Sequence, residues 1–155
     1  MSSLQTPGLT TDIAGLQKVV GSQLGPSDWT EMTQQLVNDF ADLTGDHNFI
    51  HVDVERAKQT PFGGTIAHGF LSLSLLAPVT QLLQVSDAST SINYGLGKVR
   101  FPGPLRVGSR FRGSAEITSV EPINGGVEVH LSAKLEVENA ERPAVVAESI
   151  VRFYA

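Results

Sequence analysis

The sequence contains no cysteine. That excludes a disulfide framework, a thiolate-held zinc or iron–sulfur centre and a thiol nucleophile. Cations are also scarce: 11 Lys and Arg stand against 16 Asp and Glu, for a formal net charge of -5. They are scattered along the chain, so neither nucleic acid nor an acidic membrane surface is an expected partner, since both need clustered cations. Met1 to Thr11 carries no Lys or Arg and no apolar stretch. Neither a secretory signal nor a transit peptide is therefore expected, and the expected compartment is the cytoplasm.

An uninterrupted apolar run is missing as well. Ile66 to Val85 has the length of a membrane span, but His68, Ser72, Ser74, Pro78, Thr80, Gln81 and Gln84 break it. It also lacks aromatic belts and a positive flank, so it is read as a helix of the core. What the chain does have is 41% hydrophobic residues in 155, with 15 Gly and 8 Pro. This composition suits one globular domain with many turns.

Apolar spacing predicts a short helix over residues 12–20, from Ile13, Leu16, Val19 and Val20. A second is expected over "QQLVNDFADLTG", capped by Thr33 and stopped by Gly45. Asp53 is placed to cap a short turn at "VERAKQ". A helix over about 67–84, apolar around most of its circumference, is expected to be buried.

The period then changes to two. Val127, Val129, Leu131, Ala133, Leu135 and Val137 alternate with polar residues, as in a half-buried antiparallel strand. Phe111 to Val120 is joined to it through a hairpin at Asn124-Gly125-Gly126, and Ser91 to Phe101 and Ala144 to Tyr154 supply two more strands. One apolar helix followed by an antiparallel sheet predicts an α+β fold in which the sheet curls around the helix.

The chemistry is concentrated in "FADLTGDHNFIHVDVERAKQTPFGGTIAHG", residues 40–69, which holds Asp46, His47, Asn48, His51 and His68. Three of the four histidines of the chain fall in this stretch. Asp46 just past a helix stop and His51 five positions later can converge on one water, the arrangement that acid–base chemistry needs. Each residue also has a plain structural reading. Asp46 and Asn48 suit turns, His51 a loop, His68 and Gly69 the start of a helix, and His130 the solvated face of a strand. Trp29, Phe62 and Tyr94 read as packing residues, and Lys98 and Arg100 as solvated surface. The histidine spacing does not fit the helical His-Glu-x-x-His metal pattern, no Gly-x-Ser-x-Gly elbow is present, and "GLGKVR" is not a phosphate loop. No metal and no cofactor are expected.

Together, "FADLTGDHNFIH", "PFGGTIAHGFLSLSLL" and "INYGLGKVRFPGPLRVGSR" resemble the MaoC-like, R-specific enoyl-CoA hydratases, or hydratase 2 family, over roughly residues 28–155. The family's motif is matched by Phe40 and then Gly45-Asp46-His47-Asn48-Phe49-Ile50-His51, with Phe49 where the family more often has proline. The resemblance implies a hot-dog fold and a homodimer acting on an acyl-CoA thioester; one domain is expected over residues 1–155, with 1–27, which holds the helix read from apolar spacing, as an N-terminal helical extension. It implies Asp46 and His51 as the catalytic pair, Asn48 ordering the loop or meeting substrate, and the Gly69 N–H facing the thioester oxygen.

The expected reaction is reversible syn addition of water to a trans-2-enoyl thioester, giving the R-3-hydroxyacyl product. Asp46 would activate the water and His51 help donate the C2 proton, with the pair open to acting as one coupled unit. The acyl chain would need an apolar channel beside the buried helix. The rival readings are the same chemistry on an acyl-carrier-protein thioester, a non-catalytic acyl-thioester binder, a hot-dog thioesterase, and metal-dependent hydrolysis.

Overall fold

A computed structural model describes residues 8–155. In chain order, β1 (Leu9–Thr11), a 3-10 helix (Leu16–Val19), β2 (Gln23–Leu24) and β3 (Thr30–Glu31) lead into the helices α1 (Gln34–Thr44), α2 (Phe49–Val52), α3 (Val54–Ala57), α4 (Gly69–Ser74) and α5 (Ala77–Thr80). The short β4 (Leu83–Val85) precedes four long strands, β5 (Thr90–Arg100), β6 (Arg110–Ile123), β7 (Gly126–Val137) and β8 (Val145–Tyr154). These four lie within three residues of the strands expected from the alternation, the largest difference being the C-terminal end of β6, which runs on from Val120 to Ile123.

The local signals act as read. Thr33 accepts from Leu36 N at 3.2 Å to cap α1, and Gly45, at φ 81°, ends it in the left-handed region that favours glycine. Asp53 caps α3 by accepting from Arg56 N. The β6–β7 hairpin closes with Ile123 paired to Gly126, and Gly125 takes φ +82° in the turn.

The main sheet runs β2-β6-β7-β8-β5, with β3 also paired to β6 and every pairing antiparallel. A separate parallel pair joins β1 to β4. One face of β7 buries Val127, Val129, Leu131, Ala133, Leu135 and Val137, the set expected to face the core. Val145, Ala147, Val151 and Phe153 of β8 extend this apolar face. α4 packs against β8 and α5 against β6, so the sheet cradles the helical segment. This is the hot-dog arrangement.

Two helices differ from expectation. The stretch 12–20 forms only the 3-10 turn at Leu16–Val19, and residues 1–7 of the expected N-terminal extension lie outside the described residues. The expected helix over 67–84 is interrupted, giving α4 and α5 with a turn at Leu75 and Leu76, followed by β4. Pro78 accounts for the break: it has no N–H to offer the Ser74 carbonyl, and its ring would crowd that carbonyl. Nor is the segment buried all round, since Phe70 is 75% exposed while Leu71, Leu76 and Val79 are buried. Among the described residues no helix is long and apolar enough to cross a membrane.

Candidate active site

The loop after α1 carries Asp46, whose Oδ1 accepts from Asn48 N at 3.2 Å in an Asx turn. Asn48 in turn caps α2, accepting from Ile50 N, and α2 presents His51. The turn-forming roles open to Asp46 and Asn48 are thus real, and they are also what sets His51 five residues downstream at a fixed orientation. Gln34 of α1 ties α2 down from behind, donating to the His51 carbonyl at 2.7 Å while accepting from Thr65 Oγ1 at 2.6 Å. Ile66 N donates to Ile50 O at 3.0 Å, bringing the segment that precedes α4 alongside α2.

These bonds gather residues far apart in sequence. A carboxylate oxygen of Asp46 and one ring nitrogen each of His51 and His68 lie within 4.8 Å of one another. His51 and His68 are buried while Asp46 is exposed, so the group spans the boundary between core and solvent. The two imidazoles stack with centroids 3.9 Å apart and planes 25° from parallel.

Their hydrogen bonds assign the tautomers. Nδ1 of His51 meets the Ile66 carbonyl at 2.7 Å, and a carbonyl only accepts, so Nδ1 holds the proton and the neutral ring has its lone pair on Nε2. Burial pushes the His51 imidazole below its ordinary value of 6.5; the Ile66 carbonyl pulls it upward, the neighbouring His68 lowers it further, and Asp46 raises it. The net direction favours the neutral ring, the form able to take a proton.

His68, read from sequence as a polar residue at a helix start, is the N-cap of α4 but makes no side-chain cap bond. Gly69 is the first residue of α4, where a backbone N–H has no intrahelical acceptor. A β-carbon at Gly69 would lie 3.3 Å from the Phe101 ring, so the backbone and this aromatic approach closely.

By distance alone, Asp46, His51 and His68 resemble a metal-ligand set. Their orientation does not fit one. An imidazole lone pair lies in its ring plane, so stacked rings aim along near-parallel planes rather than at one ion about 2.0–2.1 Å from both nitrogens.

His47 is not drawn in: its Nε2 lies 2.9 Å from Asp42 at the surface. His130 sits on the far strands between Glu128 and Glu148. Beside the site, a cavity of about 830 Å³ runs between the α4–α5 segment and the β5–β8 side of the sheet. Phe70, Leu73, Leu76, Leu83, Val151 and Phe153 line it; Asp46, His51 and His68 do not, and Phe70 connects it to Gly69. Sequence reasoning missed Gln34 and Thr65 and left His68 outside the site. The one available signal for His68 was its membership of the histidine cluster.

The sequence model of the MaoC-like domain family matches residues 16–139. The chain belongs to the MaoC-like family. Within that family it is 51% identical over 145 residues to the 3-hydroxyacyl-thioester dehydratase Z of Mycobacterium tuberculosis, covering 92% of this chain and 96% of the relative. This MaoC-like protein is a hydro-lyase.

Its fold is similar to the monoamine oxidase regulatory protein from Archaeoglobus, with a TM-score of 0.77 and 25% identity over 96% of this chain and 98% of the other. It is also similar to the (R)-hydratase from A. caviae involved in PHA biosynthesis, with a TM-score of 0.68 and 24% identity over 97% and 98% of the two chains. The latter likeness is one of fold.

Proposed function

We propose that the protein is an R-specific enoyl-CoA hydratase, adding water reversibly across a trans-2-enoyl-CoA and, in reverse, dehydrating the R-3-hydroxyacyl thioester. The observation that carries this reading is the convergence of Asp46 with a His51 whose free nitrogen is Nε2, beside the first N–H of α4. Hydration needs a group to take a proton from water, a group to deliver one to C2, and a donor for the thioester oxygen as negative charge builds there.

Because Nδ1 of His51 is committed to Ile66, Nε2 must receive a proton before it can give one. We assign it both steps: Nε2 takes a proton as the water oxygen bonds to C3, then returns it to C2, while the Asp46 carboxylate holds the water by accepting its other hydrogen. This moves the activating role from Asp46, where the sequence reading put it, towards His51. Delivery of both fragments from one side gives syn addition. The Gly69 N–H takes the enolate oxygen, and Asn48 orders the loop beside the substrate. The acyl chain follows the cavity beyond Phe70.

The same reading includes a homodimer and a cytoplasmic location. β5 ends the sheet with one edge unpaired among the described residues and holds Ile92, Tyr94 and Leu96 at 47%, 55% and 44% exposure. An apolar edge strand of this kind is suited to pairing with a second copy. Sedimentation of a monomer at assay concentration would remove the dimer from the reading, and fractionation of cells tests the location.

The deciding experiment follows loss of the conjugated enoyl absorbance of crotonyl-CoA, with Asp46→Asn as control and chiral analysis of the product. R-3-hydroxybutyryl-CoA formed in an Asp46-dependent manner supports the assignment. No turnover of four- or eight-carbon enoyl-CoA, with turnover of the matching acyl-carrier-protein thioester, replaces coenzyme A with the carrier protein as the handle.

A further inference from the structure

We infer that His68 is a positioning residue that fixes the Asp46 loop and the His51 ring relative to each other. The inference rests on the hydratase reading above. His68 is 2% exposed and lies between two rings, with His51 stacked at 3.9 Å and Phe40 of α1 tilted against it at 5.0 Å. Its Nε2 meets the backbone carbonyl of Asp46 at 3.0 Å, so Nε2 is the protonated nitrogen. One side chain therefore touches both halves of the dyad, by hydrogen bond on one side and by ring contact on the other.

Three further features separate this from plain packing. Nδ1 of His68 is buried without a hydrogen-bond partner, and a buried polar atom left unpaired is destabilising. Phenylalanine would fill the same space, keep the ring contacts and leave no such atom, so packing alone favours it over histidine. The residue also stands at the N-cap of α4 yet its side chain makes no cap bond there. By turning to Asp46 it leaves the Phe70 and Leu71 N–H groups, the ones within reach of an N-cap side chain, uncapped by this residue. Finally, the stacked rings hold opposite tautomers, Nδ1–H in His51 and Nε2–H in His68, each fixed by a different backbone carbonyl.

The test uses His68→Phe and His68→Gln in the full chain. Phe keeps the ring and loses the bond to Asp46 O; Gln offers an amide N–H at similar reach without the ring. His68→Phe is expected to lower kcat about 10²-fold, the scale of a misplacement near 1 Å. KM and thermal stability should stay close to those of the parent. His68→Gln is expected to recover part of the lost kcat. A His68→Phe enzyme that folds and turns over at the parent rate overturns the inference, as does a Gln variant no better than Phe.

Nitrogen-15 spectra of the unmodified protein supply an independent measurement that needs neither substrate nor variant. His68 must show the Nε2–H tautomer and His51 the Nδ1–H tautomer. A His68 protonated on Nδ1 instead overturns the inference even if His68→Phe fails to fold. An unmodified protein inert to enoyl thioesters but showing both tautomers points to failure of the hydratase reading, not of the His68 placement.

Discussion

The His51 Nδ1–H points at the Ile66 carbonyl 2.7 Å away, across a gap of 15 residues in sequence, and this bond leaves Nε2 as the ring nitrogen with a free lone pair. Because burial depresses the His51 imidazole below 6.5, the neutral ring should persist into mildly acidic solution. The sign follows: with His51 as the proposed proton acceptor the active form is the unprotonated one, so kcat/KM for enoyl-CoA should be flat above about 6.5 and fall as pH drops through the lowered value. The same group contributes stability that is present above its unfolded value and lost as pH falls through the folded one. A pH–rate profile whose acid limb lies above 6.5 would contradict the assignment of His51 as the proton acceptor.

Asp46→Asn separates the turn from the charge. The asparagine oxygen can still accept from Asn48 N, so the Asx turn and the cap of α2 should survive and Tm should change little. What is lost is the carboxylate, and kcat should fall by about 10²- to 10⁴-fold, the usual contribution of an acid–base group. His51→Ala should cost a similar factor. Steady-state kinetics beside a melting curve check both, and a variant with near-parental kcat would remove that residue from the dyad.

The fold was legible where the signal was local or periodic. Thr33 and Gly45 mark the ends of α1 because a cap oxygen and a left-handed glycine act on their own few residues. The six inward residues of β7 declare themselves by alternation, since a sheet with one buried face leaves no other register.

The segment from 67 to 84 has helical apolar spacing throughout, yet the missing N–H of Pro78 overrides any number of leucines and divides it into α4 and α5. Asp46, Asn48 and His51 were legible because one loop and its cap connect them. The His51–His68 stack was not: it depends on Ile66 pairing with Ile50 and on Gln34 bracing α2, contacts that join separate elements and have no spacing of their own.

The seating of α5 on the sheet depends on Gly113. A β-carbon there would overlap the Val79 side chain, which is 1% exposed and has no room to retreat. Gly113→Ala should therefore destabilise by about 1–3 kcal/mol through overpacking. Trimming the neighbour tests the cause. Val79→Ala should itself be destabilising, yet the double variant should be more stable than the sum of the two single effects, because the methyl group added on β6 fills space vacated on α5. Strict additivity in urea unfolding would show that the strain at Gly113 comes from elsewhere.

His130 gives a second pH dependence, opposite in sign and remote from the dyad. Its ring lies 3.0 Å from Glu148 and 2.8 Å from Glu128, and these two hydrogen bonds raise its pKa above 6.5 despite some loss of solvent. Glu128 is also held by Arg152 across β7 and β8, so removing the imidazole leaves that pair in place. A histidine raised on folding contributes stability that is fully present below its unfolded value and lost as pH rises through the folded one. His130→Gln should therefore lower the urea midpoint at about pH 6 and approach the parent in alkaline solution, beyond the raised value of the folded ring, where the parent imidazole has lost its charge. The ring is exposed enough for solvent and salt to screen it, so the gap at about pH 6 should also narrow in about 1 M salt. A variant equally destabilised at both pH values would mean that His130 acts by packing between strands and not by its charge.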